Sequence, residues 1–136
     1  MRIAVSFDGT IVECRYPEIG QERPGAIKAL RKLSEEGNKI ILWTSRAGYY
    51  LDEAIEWCLE RGLEFYAVNA NHPDGMVSHR IVAKSPKIIA DVFIDCHNLG
   101  GLPSWNEIYV KANERRRELQ QMHKFKHGSQ EQSVTQ

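Results

Sequence analysis

The chain has 136 residues, which is enough for one domain with a single buried core and too few for two. Its 18 basic residues balance its 18 acidic residues, so the net charge gives no reason to expect a nucleic acid or an anionic membrane as a partner. No stretch approaches the ~20 apolar residues of a membrane span. The three cysteines are odd in number and lack CxxC spacing, which is typical of reduced thiols. We therefore expect a cytoplasmic protein that binds a small molecule or another protein.

Apolar runs alternate with helical patterns along the chain. Buried strands are predicted for the runs Ile3–Phe7, Ile40–Thr44, Phe65–Val68 and Val92–Ile94. Apolar residues at helical spacing follow the first strand between Pro24 and Gly37 and the second strand between Leu51 and Leu59. A third helix is predicted from Ser104, where Ser-x-x-Glu matches a capping box. This alternation predicts an α/β protein with a parallel sheet and right-handed crossovers.

The remaining segments are predicted as loops and a tail. We expect residues 11–23 to form a short polar loop and residues 69–85 to form a turn-rich rim beside the sheet. Residues 1–110 should make up the α/β domain. Residues 111–127, with six basic and two acidic side chains, should form a basic carboxyl-terminal helix, and residues 128–136 a disordered tail.

Polar residues follow each predicted strand at its carboxyl end. They are Ser6 and Asp8, Thr44 and Arg46, Asn69, and Asp95. In open parallel sheets, ligands bind outside the carboxyl ends of the strands, so their convergence predicts a binding site. Each residue also has a plain structural explanation, because Asp8-Gly9 suits a turn and both Thr44 and Asp95 suit caps.

Several of these residues occur in a familiar order. The pattern consists of Phe7-Asp8-Gly9-Thr10 after an apolar strand, Thr44 after a second strand, a later lysine, and Asp95 at the end of another strand. Longer matching segments are Trp43–Arg46, Ala54–Cys58, Arg61–Ala67 and Asp91–Asp95. Over roughly the first hundred residues the chain resembles haloacid dehalogenase-like phosphohydrolases, in particular small bacterial members without a large cap. The resemblance implies a doubly wound, three-layer, Rossmann-like α/β fold.

The resemblance also implies catalytic roles. Ser6 occupies the position of the aspartate that attacks the phosphoryl group, and Asp8 that of the leaving-group acid. Thr44, Ser45 and Arg46 would bind phosphate. The motif lysine, which offsets phosphate charge, aligns best with Lys87.

Lys84 is the second choice for that lysine.

A serine hydroxyl is a weak nucleophile unless a base activates it, so we expect little or no phosphatase activity.

The implied cofactor is Mg²⁺, bound by Asp95 and the backbone carbonyl of Asp8. Cys96 stands where the resemblance leads one to expect a second aspartate. Magnesium prefers hard oxygen ligands, whereas Ser6 offers a neutral hydroxyl and Cys96 a soft sulfur. The magnesium site should therefore be weakened.

Two functions follow from these substitutions. One is an impaired magnesium-dependent phosphatase for small phosphoesters, and the other is a non-catalytic pseudo-phosphatase that binds a phosphorylated ligand or a protein. The short loops predict an open site, for which Trp105 and Tyr109 are candidates to supply a contact in a homo-oligomer.

The histidines are predicted to serve neither as nucleophile partners nor as zinc ligands. His97 follows Cys96, and adjacent residues on an extended segment point to opposite faces. His72 and His79 fall on the predicted rim loop, where solvated histidines are common.

Overall fold

The computed structural model describes residues 1–73 and 87–134, with side chains described as far as residue 126. The predicted residues Lys84 and His79 therefore lie outside the described residues. In chain order the elements are β1 (Arg2–Val5), β2 (Val12–Arg15), β3 (Glu18–Glu22), α1 (Ala26–Glu35), β4 (Lys39–Leu42), α2 (Gly48–Glu60), β5 (Ala67–Val68), β6 (Val92–Ile94) and α3 (Trp105–Val134).

Four strands form the predicted parallel sheet, in the order β5-β4-β1-β6. In the centre of the sheet, Val5 lies opposite Leu42 on one side and opposite Ile94 on the other. All three neighbouring pairs are parallel. The α/β class and the parallel sheet are therefore confirmed, and the carboxyl ends of all four strands lie along one edge.

The main core lies on one face of this sheet. Side chains alternate between faces along a strand, so every second residue of β1, β4 and β6 points into this core. One buried cluster is formed by residues of the strands and of the three described helices: Ile3, Val5, Ile40, Leu42, Ile94, Leu30, Leu33, Ala54, Cys58, Trp105 and Ile108. Thus α1, α2 and α3 all pack on the same face.

The opposite face carries a smaller cluster. Ala4, Ile41 and Ala67 lie there in contact with Ile88, which belongs to the connection between β5 and β6. Because residues 74–86 of that connection are outside the described part, the described chain gives a sheet with helices on one face and one packed segment on the other.

The segment predicted as a polar loop is instead a β-hairpin. Strands β2 and β3 pair antiparallel between Val12 and Glu22. A Cβ at Gly20 would lie 2.1 Å from the carbonyl oxygen of Glu13, so only glycine allows the strands to approach this closely. The charged residues on the exposed sides of both strands hide the strand pattern in the sequence.

The third helix begins as predicted. The hydroxyl of Ser104 accepts a hydrogen bond from the Glu107 backbone N–H at 3.3 Å. The helix crosses the predicted boundary at residue 110 without a break and continues to Val134, into the segment expected to be a disordered tail. The residues after 111 are mostly good helix formers and include no proline. Among the described helices, none combines the length and the apolar character needed to cross a membrane.

Trp105 and Tyr109, the two residues predicted to supply a contact in a homo-oligomer, both pack within their own chain. Trp105 is buried, and its indole N–H donates to the backbone carbonyl of Thr10 at 3.1 Å. The hydroxyl of Tyr109 donates to Glu36 at the end of α1. The Lys32 ammonium lies 4.7 Å from the centre of the Tyr109 ring. Both aromatic side chains therefore attach α3 to its own domain.

All three cysteines are free thiols, as predicted. Burial raises the pKa of the Cys58 thiol to about 12, even though Arg61 acts in the opposite direction. Cys58 is therefore a protonated core residue at neutral pH.

Candidate functional site

The site is built on the carboxyl edge of the sheet. The Ser6 N–H donates to the Ile94 carbonyl at 3.1 Å, and the Trp43 N–H donates to the Val5 carbonyl at 2.8 Å. These bonds extend the pairing of β1 beyond its last residue on both sides. As a result, Ser6 lies between the segments that carry Thr44 and Asp95, as the sequence predicts.

Ser6 takes part in a directed chain of hydrogen bonds. Its hydroxyl lies 3.1 Å from Asp95 Oδ1, to which it donates, and 2.6 Å from the hydroxyl of Thr10. The Thr10 hydroxyl oxygen also accepts from the Cys96 N–H at 3.0 Å. Since a hydroxyl has one proton, Thr10 must donate to Ser6 while Ser6 donates to Asp95.

The sequence predicts no function for Thr10. The only sequence signal for it was its place at the end of the Phe7-Asp8-Gly9-Thr10 segment. Its burial beneath Ser6 depends on the turn, in which the N–H groups of Thr10 and Ile11 both donate to the Phe7 carbonyl. Thr10 is therefore a positioning residue for Ser6.

Asp95 accepts hydrogen bonds from three directions. Besides Ser6, its Oδ1 accepts from the His97 backbone N–H at 3.1 Å and lies 3.2 Å from His97 Nδ1. Burial acts to raise the pKa of Asp95, but the hydrogen bonds from His97 and Ser6, together with the charge of His97, lower it overall. A carboxylate with a lowered pKa is a poor base, so Asp95 is not suited to deprotonate Ser6.

Arg46 is a structural residue, which corrects its prediction as a phosphate ligand. Its Nε and Nη2 donate to the two carboxylate oxygens of Asp8, each at 2.7 Å. Its remaining donors bind the carbonyls of Pro17, Glu18 and Tyr50. The guanidinium has five N–H groups, and all five therefore have protein acceptors.

The pair formed by Arg46 and Asp8 is nearly closed to solvent, with side chains 0% and 16% exposed. The hydrogen bond to Asp8 raises the pKa of Arg46, although burial acts to lower it. Both oxygens of Asp8 are held as acceptors, whereas a leaving-group acid must present a proton to the ligand. The structure therefore gives Asp8 an ion-pair role beside its predicted catalytic one.

Thr44 has a hydroxyl proton available for a ligand. Its Oγ1 accepts from the Arg46 N–H at 3.1 Å, and its own N–H donates to the Asn69 side chain at 2.8 Å. Asn69 has φ of 51°, in the left-handed region that asparagine tolerates better than most residues. Asn69 thus fixes the backbone of Thr44 at the edge of the sheet.

The start of α2 adds unpaired backbone donors next to Thr44. The helix begins at Gly48, and Ala47 before it makes no side-chain cap. The first N–H groups of a helix have no partner within the helix and favour anions. Ser45, which precedes them, is exposed. Thr44, Ser45 and this helix start form a surface that can accept a phosphate.

The structure does not bring Lys87 into contact with this surface. Lys87 is exposed, and its described contact is made by its backbone carbonyl, 3.5 Å from the Asn71 side-chain amide. The Asn71 carbonyl in turn accepts from Arg2, at the amino end of β1. The catalytic role of Lys87 therefore remains a prediction.

The donor set fits Mg²⁺ poorly. Among the described residues, Asp95 is the carboxylate that bonds to Ser6, whereas Asp8 is paired with Arg46. The backbone carbonyl of Asp8, the second predicted ligand, accepts from the Cys96 thiol at 3.6 Å. Magnesium in proteins relies on hard oxygen ligands, and sulfur is a soft donor.

Cys96 and His97 lie together, contrary to the sequence-based expectation. Cys96 Sγ is 3.6 Å from His97 Nδ1. The segment turns instead of continuing extended, with the Asn98 N–H donating to the Asp95 carbonyl at 3.1 Å. The turn removes the alternation that would place adjacent side chains on opposite faces.

Gly9 is required by its contact with Cys96. It has φ of +83°, and a Cβ there would lie 2.6 Å from Cys96 Sγ. We expect Gly9→Ala to destabilise the fold by about 2–4 kcal/mol, from backbone strain and overpacking combined. Gly37→Ala is the matched control, since Gly37 has φ of +94° and no atom within 4 Å of its Cβ position. The measurement is the free energy of unfolding in urea. If Gly9→Ala and Gly37→Ala lower it equally, the close approach of residue 9 to Cys96 has no effect on stability.

No protein-family model and no curated protein matches the chain. A solved structure of a conserved protein coded by a locus of Bacteroides thetaiotaomicron does match, with 52% sequence identity and a TM-score of 0.77. The match covers 85% of this chain and 91% of that one. At this identity and coverage, the chain belongs to the same protein family as the conserved Bacteroides thetaiotaomicron protein.

Proposed function

We propose that the protein is a haloacid dehalogenase-like pseudo-phosphatase that binds a phosphorylated small molecule or phosphoester without appreciable turnover. The observation that carries this proposal is the position of Ser6. Its hydroxyl lies at the carboxyl edge of the central strand, 3.1 Å from Asp95, where the family resemblance implies a nucleophilic aspartate beside a metal-binding acid.

The proposal includes a doubly wound, three-layer sheet. Strands β4 and β5 are added to the sheet on one side of β1, and β6 is added on the other side. The direction in which successive strands are added therefore reverses between β5 and β6. Right-handed crossovers then direct this connection to the face opposite α1 and α2. The packing of Ile88 against Ala4 and Ile41 on that face supports this arrangement.

Loss of catalysis follows from the surroundings of Ser6. The hydroxyl proton is donated to Asp95, whose lowered pKa makes it a weak base. Asp8, the other carboxylate near the strand end, is occupied by Arg46. An unactivated serine is a poor nucleophile. Mg²⁺, if it binds at Asp95, should do so weakly.

Phosphate binding is proposed to involve Thr44, Ser45 and the first backbone N–H groups of α2. The Thr44 hydroxyl oxygen accepts from the Arg46 N–H, the Thr44 backbone N–H donates to Asn69, and the hydroxyl proton is left for the ligand. Lys87 is retained as a predicted contributor of positive charge. A cytoplasmic location, where phosphorylated metabolites occur, is part of the same proposal.

The test is binding of inorganic phosphate to the purified chain, measured by calorimetry or by ³¹P NMR. We expect Thr44→Val to weaken binding about 10- to 100-fold, because one hydrogen bond to a charged group is worth about 1.5–3 kcal/mol. Thr44→Ser keeps the hydroxyl and is the matched control, with binding close to that of the original chain. If the original chain does not bind phosphate, or if Thr44→Val binds equally well, the proposed site is wrong.

A further inference from the structure

The turn after β6 brings three different metal-binding side chains together. Ligand atoms of Asp95, Cys96 and His97 all lie within 4.8 Å of one another. They are a carboxylate oxygen, a thiol sulfur and an imidazole nitrogen. This combination differs from a cluster of acidic residues, because nitrogen and sulfur donors do not attract hard cations.

The two distances that involve His97 agree with a shared tetrahedral ion. Zinc bonds of about 2.3 Å to sulfur and about 2.1 Å to nitrogen or oxygen place tetrahedral sulfur and nitrogen ligands roughly 3.6 Å apart. The same geometry places nitrogen and oxygen ligands roughly 3.4 Å apart. The structure has Cys96 Sγ 3.6 Å and Asp95 Oδ1 3.2 Å from His97 Nδ1.

The charge around the cluster is also suited to a cation. Among the described residues, Asp95 forms an ion pair with His97 and with no lysine or arginine. Arg46, which is buried, is fully engaged with Asp8 and backbone carbonyls. A bound divalent ion would therefore neutralise a carboxylate that has no permanent cationic partner.

We propose that Asp95, Cys96 and His97 form a Zn²⁺ site, with a fourth coordination position open to water or ligand. His97 has 85% of its side chain exposed, so an ion there has access to solvent. Replacing the expected aspartate by Cys96 then changes the metal preference from a hard ion to a borderline-soft one. The site does not depend on the proposed phosphate function.

The site is tested with Co²⁺, which replaces Zn²⁺ and reports a sulfur ligand through a thiolate-to-cobalt charge-transfer band in the near ultraviolet. The reduced, metal-free full chain is titrated with Co²⁺ and then with competing Zn²⁺ or Mg²⁺. We expect the band to appear, to be removed by equimolar Zn²⁺, and to persist in excess Mg²⁺.

Matched variants locate the ligands. Cys96→Ser should abolish the band, whereas Cys14→Ser, at an exposed cysteine outside the cluster, should keep it. His97→Ala should lower Co²⁺ affinity roughly tenfold or more, the range known even for outer partners of metal ligands, and His72→Ala should leave it unchanged. Both histidines are exposed, so the fold should tolerate these changes.

Three results would overturn the zinc site: no band in the original chain, equal loss of the band in Cys14→Ser, or competition by Mg²⁺ as effective as by Zn²⁺. The titration contains no phosphate, and the phosphate titration is done in the presence of a chelator. Failure of one proposal is therefore distinguishable from failure of the other.

Discussion

Arg46→Met is expected to destabilise the protein by about 3–5 kcal/mol, the loss typical of removing one partner from a buried ion pair. The change leaves the Asp8 carboxylate and the carbonyls of Pro17, Glu18 and Tyr50 without their donor. These acceptors belong to the β1 turn, the hairpin and α2, so all three should loosen together. Since a domain is stable by only about 5–15 kcal/mol, the midpoint of urea unfolding should fall markedly.

The controls separate the ion pair from a general effect of losing an arginine. Arg15→Met removes a side chain that is 66% exposed and lies 3.8 Å from Glu13, so it should change stability by less than about 0.5 kcal/mol. Arg46→Lys keeps the charge without the planar five-donor fork and should recover only part of the loss. If Arg46→Met is no more destabilising than Arg15→Met, Arg46 is not the structural residue described above.

The second large effect is a gain of activity. Ser6→Asp combined with Cys96→Asp introduces two carboxylates beside Asp95, at the positions where the family resemblance implies them. We expect magnesium-dependent hydrolysis of an aryl phosphate at least ~100-fold above that of the original chain, a size comparable to restoring one electrostatic contact in a transition state. An aryl leaving group needs little protonation, so the engagement of Asp8 by Arg46 should not conceal the gain.

The amide variant Ser6→Asn with Cys96→Asn is the control for this gain. It matches the size of the two aspartates without supplying a nucleophile or a charged metal ligand. Equal activity of the amide and carboxylate variants would show that the site differs from the one implied by the resemblance.

The sheet and its edge could be predicted from the sequence because they depend on local patterns. Apolar runs such as Ile40–Thr44 are long enough to identify buried strands, and parallel pairing then brings their carboxyl ends together. Ser6 and Asp95 are therefore predicted to lie side by side, and in the structure they are hydrogen-bonded.

The hairpin and the role of Arg46 could not be predicted because they depend on each other at long range. Three of the acceptors around Arg46 are backbone carbonyls, which carry no sequence signature. Two of these, at Pro17 and Glu18, are positioned by the turn of a hairpin whose polar residues resemble a loop. The sequence therefore predicts a phosphate ligand at Arg46, because the backbone carbonyls that bind its guanidinium cannot be recognised in the sequence.

The contact between Cys96 and His97 after β6 could not be predicted for a different reason. The expectation for Cys96 and His97 assumed an extended chain, whereas the backbone turns immediately after Asp95. The sequence signal for this turn is Asn98 followed by Leu99 and two glycines, residues that are typical of turns.

The most direct test of the central claim is hydrolysis of an aryl phosphate by the purified original chain, with and without Mg²⁺, beside the Ser6→Asp variant in the same assay. The proposed function predicts a rate indistinguishable from the protein-free blank for the original chain and a magnesium-dependent rate for the variant. Magnesium-dependent turnover by the original chain, at a rate similar to that of the variant, would show that Ser6 or another group performs the chemistry and would contradict the pseudo-phosphatase assignment.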